Sequence, residues 1–171
     1  MLAALLSSLI ACSSTPIDTN TPEGAFKAAE NYDNDEMYEE ALQKYAEVKN
    51  KFPYSKLAIE AELRIADVHY KREAWVEAQN NFQLFKDLHP KYSKIAYVTH
   101  RLGLSYFNQL PSTIDRDLSL ANKAILHFDE LLKNYGSSEY AAEAKEKRTA
   151  ARKMLGEKAL YIAEFYFIRD M

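Results

Sequence analysis

A small residue, an aromatic residue, a second apolar residue and a helix breaker recur at the same offsets (0, +4, +7 and +12) in three stretches of the chain. The three copies are Ala41, Tyr45, Val48 and Pro53; Ala78, Phe82, Phe85 and Pro90; and Ala124, Phe128, Leu131 and Gly136. Apolar side chains three and four positions apart lie on one face of a helix. Self-similarity at a period of about 20 to 50 residues is the signature of a stacked repeat array. Because such an array presents an extended surface, the pattern predicts a binding function.

The composition favours a mostly helical protein that has no nucleic-acid partner. The 171 residues include only 4 Gly and 5 Pro, and the net charge is −3 with both signs interspersed. Scarce turn formers disfavour sandwiches and Rossmann-type sheets. A nucleic-acid-binding domain would carry a basic footprint, which this composition lacks.

The first residues predict a lipoprotein signal over residues 1–12. An almost wholly apolar or small stretch runs to Ala11 and ends at Cys12, the single cysteine. Eleven residues are too few to cross a bilayer but suit a signal-peptide core. Residues 9–12, Leu-Ile-Ala-Cys, resemble the lipobox in which the cysteine becomes acylated. A free or buried thiol is the alternative, and residues 13–21 are expected to form a flexible tether.

Helix signals divide the remaining chain into hairpins. We expect hairpins over residues 22–55, 56–92 and 93–138, each pairing two helices, and a long helix from residue 139 to residue 171. Pro22 is expected to open the first helix, Ser55 and Ser93 to cap the third and fifth, and Asp117 or Ser119 to start the sixth. The third hairpin carries an insertion over residues 108–120. A long loop in a compact array is usually functional or disordered.

The long helix is apolar nearly all round in its second half, where Ile162, Phe165 and Tyr166 lie. Every earlier helix of this type is followed by a partner helix, and none follows this one. We expect this apolar face to be partly exposed or covered by a neighbouring chain.

The repeat frame resembles the tetratricopeptide (TPR) repeat, a helix–turn–helix unit with a W-x2-L-G-x2-Y…A-x3-F…P pattern. The third hairpin carries the first half of this pattern as Leu102-Gly103-x-x-Tyr106. The resemblance predicts an all-α fold, a TPR-like right-handed superhelix of antiparallel hairpins with a concave groove.

A more specific resemblance covers the chain from about residue 9 to its last residue. Six motifs follow the lipobox in order: Phe52-Pro-Tyr-Ser55, Ile65-Ala-Asp-Val-His-Tyr-Lys71, Leu88-His-Pro90, Ile114-Asp-Arg-Asp117, Tyr135-Gly-Ser-Ser-Glu-Tyr-Ala141 and Ile162-Ala-Glu-Phe-Tyr166 with Arg169. In this order they resemble the BamD (ComL/YfiO) family of outer-membrane assembly lipoproteins. The insertion motif Asp115, Arg116 and Asp117 is the most specific element, since generic TPR proteins lack it.

The family resemblance implies a non-enzymatic scaffold, anchored by lipid to the periplasmic face of the outer membrane. Its implied partners are a BamA-like barrel-assembly protein, other lipoproteins of the BAM complex and unfolded outer-membrane proteins. Arg169 stands where the family has a BamA-contacting arginine, although a helix-end arginine favoured by the helix dipole is an equal alternative. The resemblance also implies further hairpins after residue 171. The runner-up function is another TPR lipoprotein of the envelope, such as a pilotin or a cell-wall coordination protein.

The concave positions of the three hairpins supply candidate peptide-binding residues. They lack the lysine and asparagine with which chaperone-type TPR clamps grip a carboxylate, and they offer apolar and aromatic side chains to an extended peptide instead. The candidates are Phe26, Leu63, Tyr70, Lys71, His100, Leu104 and Phe107. Filling the interior of the superhelix is the alternative role for some of them.

The sequence indicates no catalysis. The four histidines are separated and have no metal-ligand spacing, and no phosphate-binding loop or nucleophile motif occurs, so we expect no cofactor and no metal. Asp115 and Asp117 flank Arg116 in a way that suits salt bridges fixing the loop. A periplasmic enzyme with a helical cap would need a catalytic constellation, and the sequence does not contain one.

Overall fold

The computed structural model describes residues 17–168, which form seven helices and no strand. The helices are α1 (Pro22–Asn34), α2 (Tyr38–Lys51), α3 (Lys56–Lys71), α4 (Trp75–Leu88), α5 (Ile95–Phe107), α6 (Ser119–Asn134) and α7 (Ala141–Ile168). Each helix packs against the next, and α1 also contacts α3 while α5 contacts α7. The first helices of successive hairpins therefore share one face, as in a TPR superhelix, and the predicted all-α, TPR-like fold is confirmed.

Capping explains where several helices begin. The Thr21 hydroxyl accepts a hydrogen bond from the Gly24 amide at 3.1 Å, and the Ser55 hydroxyl accepts one from the Leu57 amide at 3.1 Å. The starts predicted at Pro22 and after Ser55 are thus confirmed. The predicted cap at Ser93 is wrong, because Lys94 occupies the cap position of α5 and makes no side-chain cap bond.

The repeat frame forms the core. The frame residues at offset +4, namely Tyr45, Phe82 and Phe128, are fully buried. The alanines that open each copy of the frame are fully buried as well: Ala41, Ala78 and Ala124. Small residues opposite aromatic rings let paired helices approach closely. At Gly103 on α5, an added Cβ would lie only 2.7 Å from the Phe128 ring.

The loop over residues 108–118 is held by apolar packing and by α7. Leu118 is 2% exposed and packs with Ala121 and Ala151, while Ile114 packs against the same cluster. The Lys158 ammonium donates to the carbonyl oxygen of Arg116. The loop is therefore fastened to α7 at more than one point.

The expected salt bridges within this loop are absent from the described part of the chain. The Asp117 carboxylate instead accepts hydrogen bonds from the Ser119 amide at 2.9 Å and the Ser119 hydroxyl at 2.7 Å, just before α6, whose cap position is Leu118. A hydrogen bond from the Thr113 side chain is the main cause that lowers the pKa of Asp115. Arg116 is exposed, and an exposed ion pair gains little over hydration, so local hydrogen bonds take the place of the expected bridges.

The second half of α7 has an exposed apolar surface. Burial along α7 ends after Ala151, and Ile162, Phe165 and Tyr166 are 44%, 43% and 51% exposed. The expectation that this face is partly exposed is confirmed. Among residues 17–168, no helix combines the length and apolar character needed to span a membrane.

Candidate peptide-binding groove

An open cleft of about 520 Å³ lies between α3, α5 and the segment that leads into α7. Its walls combine charged side chains with two tyrosine rings, and they are Glu60, Leu63, Arg64, Asp67, Ser93, Lys94, Ala96, Tyr97, Glu139 and Tyr140. A smaller cavity of about 80 Å³ continues it toward the other end of α3, where Tyr70, Lys71 and Arg101 join the lining. An open, elongated cleft with polar and aromatic walls suits an extended peptide.

The carboxylates of the groove are engaged by neighbouring donors. The Tyr97 hydroxyl donates to Asp67 at 2.6 Å, and Asp67 is only 6% exposed. Burial raises the pKa of Asp67, while the hydrogen bond from Tyr97 opposes the rise. Glu60 accepts hydrogen bonds from Tyr92 at 2.5 Å and Lys94 at 2.6 Å. Burial alone would raise the pKa of Glu60, but these two donors lower it overall.

Arg101 lies between two tyrosine rings of the groove. Its guanidinium carbon is 4.5 Å from the Tyr70 ring centre and 5.2 Å from that of Tyr97, and its Nε donates to the Tyr97 hydroxyl at 3.1 Å. Asn108 donates to the Tyr70 hydroxyl at 3.2 Å. These contacts hold a cation and two aromatic faces in fixed positions on the groove wall.

Arg64 and Arg101 of the groove were not among the residues predicted from the sequence, although the repeat spacing indicates them. Lys27, Arg64 and Arg101 are spaced by 37 residues, the same interval that separates Ala29, Ala66 and Gly103, so the three hairpins repeat a cation at one position. Arg64 has only long contacts to its carboxylates, 3.3 Å to Glu60 and 3.8 Å to Asp67. A guanidinium that is not saturated by its neighbours retains donors for a ligand.

Four of the seven candidate groove residues lie in the core. Phe26, Leu63, His100 and Leu104 are 8%, 1%, 4% and 4% exposed, which corresponds to the interior role left open for them. Their side chains pack in the core clusters or, for His100, against Tyr140, and only Leu63 also reaches the lining of the cleft.

The other three candidates remain accessible. Lys71 donates to Asp33 at 2.6 Å, and Tyr70 carries the Arg101 contact. Phe107 packs edge-on against Phe128 with a centroid distance of 6.5 Å. Tyr70 and Lys71 line the groove together with the arginines and Tyr97, whereas Phe107 is partly exposed outside both cavities.

His100 packs against a residue that lines the cleft. Its ring stacks on Tyr140 at 5.2 Å, and Nε2 lies 3.1 Å from the Glu143 carboxylate without hydrogen-bond geometry. Burial lowers the pKa of His100 against the opposing charge of Glu143. The neutral ring therefore serves as packing for Tyr140, which lines the cleft.

The remaining predicted site residues lie away from the groove. Asp115, Arg116 and Asp117 are exposed on the α5–α6 loop, whereas Cys12 and Arg169 lie outside the described residues. Within the described part of the chain, no three His, Cys, Asp or Glu side chains are grouped as a metal site would need.

Comparison with known proteins gives a consistent result. The family described as "YfiO: Outer membrane lipoprotein" matches residues 18–171. The outer membrane protein assembly factor BamD of Neisseria gonorrhoeae is 27% identical over 156 residues, which cover 86% of this chain and 58% of that protein. BamD of Vibrio cholerae is 24% identical over 176 residues, covering 96% and 73% respectively. The chain thus spans little more than half the length of the Neisseria relative.

A solved structure supports the fold. MamA residues 41 to the end, from Desulfovibrio magneticus RS-1, superposes with a TM-score of 0.56 at 16% identity, covering 86% of this chain and 78% of that one. At this identity the likeness concerns the fold alone. The family match covers nearly the whole described structure, so the chain belongs to the YfiO family of outer membrane lipoproteins.

Proposed function

We propose that this chain is part of a non-enzymatic scaffold of the outer-membrane β-barrel assembly (BAM) complex, which receives unfolded outer-membrane proteins in its concave groove. Its partners would be a BamA-like barrel-assembly protein, other BAM lipoproteins and extended segments of the substrate. The family membership supports the assembly role, and relatives in two genera carry the name of an assembly factor.

The observation that carries the binding role is the cleft between α3 and α5. Arg101 and Arg64 offer cations, Tyr70 and Tyr97 offer ring faces, and the carboxylate of Asp67 lines the same cleft. An extended peptide alternates its side chains between two faces, so aromatic and charged residues on one face can meet this wall together. Fixed aromatic walls also lower the conformational entropy cost of binding.

The membrane location in this proposal depends on acylation of Cys12. A lipobox cysteine becomes the acylated first residue, with palmitate among its acyl chains, and two or more chains anchor a protein stably. Metabolic labelling with a palmitate analogue tests this. Label on the wild-type chain and none on Cys12→Ser supports the anchor, whereas equal labelling of both proteins contradicts it.

Co-purification tests the assembly role. The chain, solubilised from outer membrane in mild detergent, should bring down a BamA-like protein in a defined ratio. Arg169 is the candidate contact for that protein, so Arg169→Glu should reduce recovery of the partner while Arg152→Glu, on α7, should not. Recovery of pilus or cell-wall proteins without any barrel-assembly protein would favour the runner-up function instead.

A further inference from the structure

The smaller cavity of the groove, about 80 Å³ in volume, carries more cations than acids on its walls. Three cationic side chains line it, whereas Asp67 supplies the one carboxylate of the lining. The other lining residues are Tyr70 and Tyr97. All of them belong to α3 or α5, so the cavity lies where two successive hairpins meet. We call it the guanidinium pocket, after its two arginines, Arg64 and Arg101.

The partners of Arg101 are aromatic rather than acidic. Its Nε donates to the Tyr97 hydroxyl at 3.1 Å, and its guanidinium covers the Tyr70 ring. Burial raises the pKa of Tyr97, so this hydroxyl stays neutral and does not balance the charge. Among residues 17–168, no carboxylate forms an ion pair with Arg101. A half-buried cation without a counter-ion has lost hydration without gaining an anion, so a bound anion would stabilise it.

Arg64 is only loosely paired with acids. Its contacts are 3.3 Å to Glu60 and 3.8 Å to Asp67, and its buried Nε has no hydrogen-bond partner among the described residues. Glu60 accepts much shorter hydrogen bonds from Tyr92 and Lys94. An arginine has five N–H donors in a planar fork, which matches the two oxygens of a carboxylate. Arg64 therefore retains donors that a further carboxylate can use.

The acids around the pocket do not neutralise both guanidinium groups. Asp67 is 6% exposed and already accepts a hydrogen bond from Tyr97 at 2.6 Å. Asp33 pairs with Lys71 at 2.6 Å, so these two charges cancel. Glu139 lines the larger cleft and not this pocket. The Asp67 carboxylate can offset one guanidinium, and one positive charge remains on the walls of the pocket.

We propose that the guanidinium pocket binds one carboxylate group of the peptide segment in the groove, with Arg101 and Arg64 as its donors. This inference rests on the proposed peptide-binding function and adds a ligand class to it. A cavity of about 80 Å³ has room for a group of a few heavy atoms, because a single water molecule needs roughly 10 to 15 Å³. A lysine or arginine of the segment would instead meet like charge. The rings of Tyr97 and Tyr140 in the larger cleft remain for its apolar side chains.

A double-mutant cycle between the full chain and a labelled peptide tests the inference. One short peptide alternates tyrosine and serine around a central glutamate and has an amidated C terminus, and a second carries glutamine in place of glutamate. Fluorescence anisotropy should show about tenfold or more tighter binding of the glutamate peptide, since a charge-assisted hydrogen bond is lost with glutamine. Arg101→Gln should reduce this preference to about twofold or less.

Two further variants keep the test informative. Arg64→Gln should also reduce the preference for glutamate, which provides a second measurement if Arg101→Gln fails to fold. Arg152→Gln removes the same charge from α7, where Arg152 pairs with Asp129 away from the cleft, and should leave the preference unchanged. An equal reduction in all three variants would show that overall charge, and not this pocket, selects the glutamate.

A third peptide distinguishes the two sources of a carboxylate. It carries the glutamine but ends in a free C-terminal carboxylate. Affinity equal to that of the glutamate peptide, and lost with Arg101→Gln, would assign the pocket to a chain end, whereas weak binding would assign it to an acidic side chain. Equal binding of all three peptides, or a preference that persists in both pocket variants, would overturn the inference and leave the proposed function standing. Failure of every peptide to bind would contradict the proposed function and this inference with it.

Discussion

The guanidinium of Arg101 lies 4.5 Å above the ring of Tyr70, so that a cation on α5 covers an aromatic face on α3. The contact joins two successive hairpins at the groove wall. It also fixes the positions of both groups before a ligand binds. Fewer side-chain rotations are then lost on binding, which increases the affinity for a flexible segment.

Arg101→Gln should weaken peptide binding about tenfold or more, because a cation and its ring contacts are lost from the groove wall. The substitution removes the charge and the contacts to Tyr70 and Tyr97, while a shorter polar side chain remains. Fluorescence anisotropy with an extended peptide that carries aromatic and acidic residues measures the affinity. Arg152→Gln is the matched control, because Arg152 pairs with Asp129 between α6 and α7 and does not line the cleft. Equal losses for the two variants would argue against a role for Arg101 in binding.

Two glycines give opposite predictions for stability. Gly103→Ala places a Cβ 2.7 Å from the Phe128 ring, so overpacking should lower the free energy of unfolding by about 1 to 3 kcal/mol. At Gly156 on α7 an added Cβ has no neighbour within 4 Å. Gly156→Ala should therefore raise the free energy of unfolding by about 0.5 to 1 kcal/mol, since alanine favours a helix. Urea unfolding measures both. A stable Gly103→Ala variant would show that α5 and α6 are not closely packed at this point.

His127 should make the fold less stable in mild acid. Its side chain is 9% exposed, its ring stacks on Tyr106 at 5.5 Å, and Glu130 lies 3.8 Å away. Burial, then the charge of Lys86, lowers the pKa of His127 to about 4, with a smaller contribution from Lys123. The unfolded chain binds a proton near pH 6.5, so between these values it holds more protons than the folded chain.

Stability should therefore fall as the pH drops below about 6.5, by roughly 2 kcal/mol at pH 5 from His127 alone. The measurement is urea unfolding at pH 7 and pH 5 for wild type and for His127→Phe, which keeps a ring against Tyr106. Burial also lowers the pKa values of His69 and His100. Both residues are present in both proteins, so their contributions to the pH dependence cancel in the comparison. If the phenylalanine variant loses as much stability as wild type, His127 does not resist protonation in the folded state.

The fold was largely predictable because it depends on local patterns. The Ala–aromatic–apolar frame fixed which helix faces are buried, and Thr21 and Ser55 marked two helix starts through their hydroxyl groups. The cap predicted at Ser93 was wrong because Ser93 lies two residues before α5, and Lys94 occupies the cap position. A serine caps a helix only when the helix begins at the next residue.

The groove was less predictable, because position in a repeat does not give the depth of a side chain. Leu63 and Leu104 lie on helices that line the groove, yet successive hairpins bury them. Arg101 became part of the wall only through its contacts with Tyr70 and Tyr97 on two different helices. The sequence does indicate these cations, because Lys27, Arg64 and Arg101 recur at an interval of 37 residues. That repeat is found only when the interval of the apolar frame is also applied to polar positions.

Site-specific photo-crosslinking tests the central claim, that the concave groove receives unfolded outer-membrane protein. A photoreactive phenylalanine analogue replaces Tyr97 in the groove or, as controls, the exposed Leu84 and Leu126 on the second helices of their hairpins. The full chain is then mixed with a urea-unfolded outer-membrane protein that is diluted into buffer. The account predicts strong crosslinks from position 97, weak ones from 84 and 126, and loss of the position-97 product with Arg101→Gln. Equal crosslinking from all three positions, or none from position 97, would contradict it.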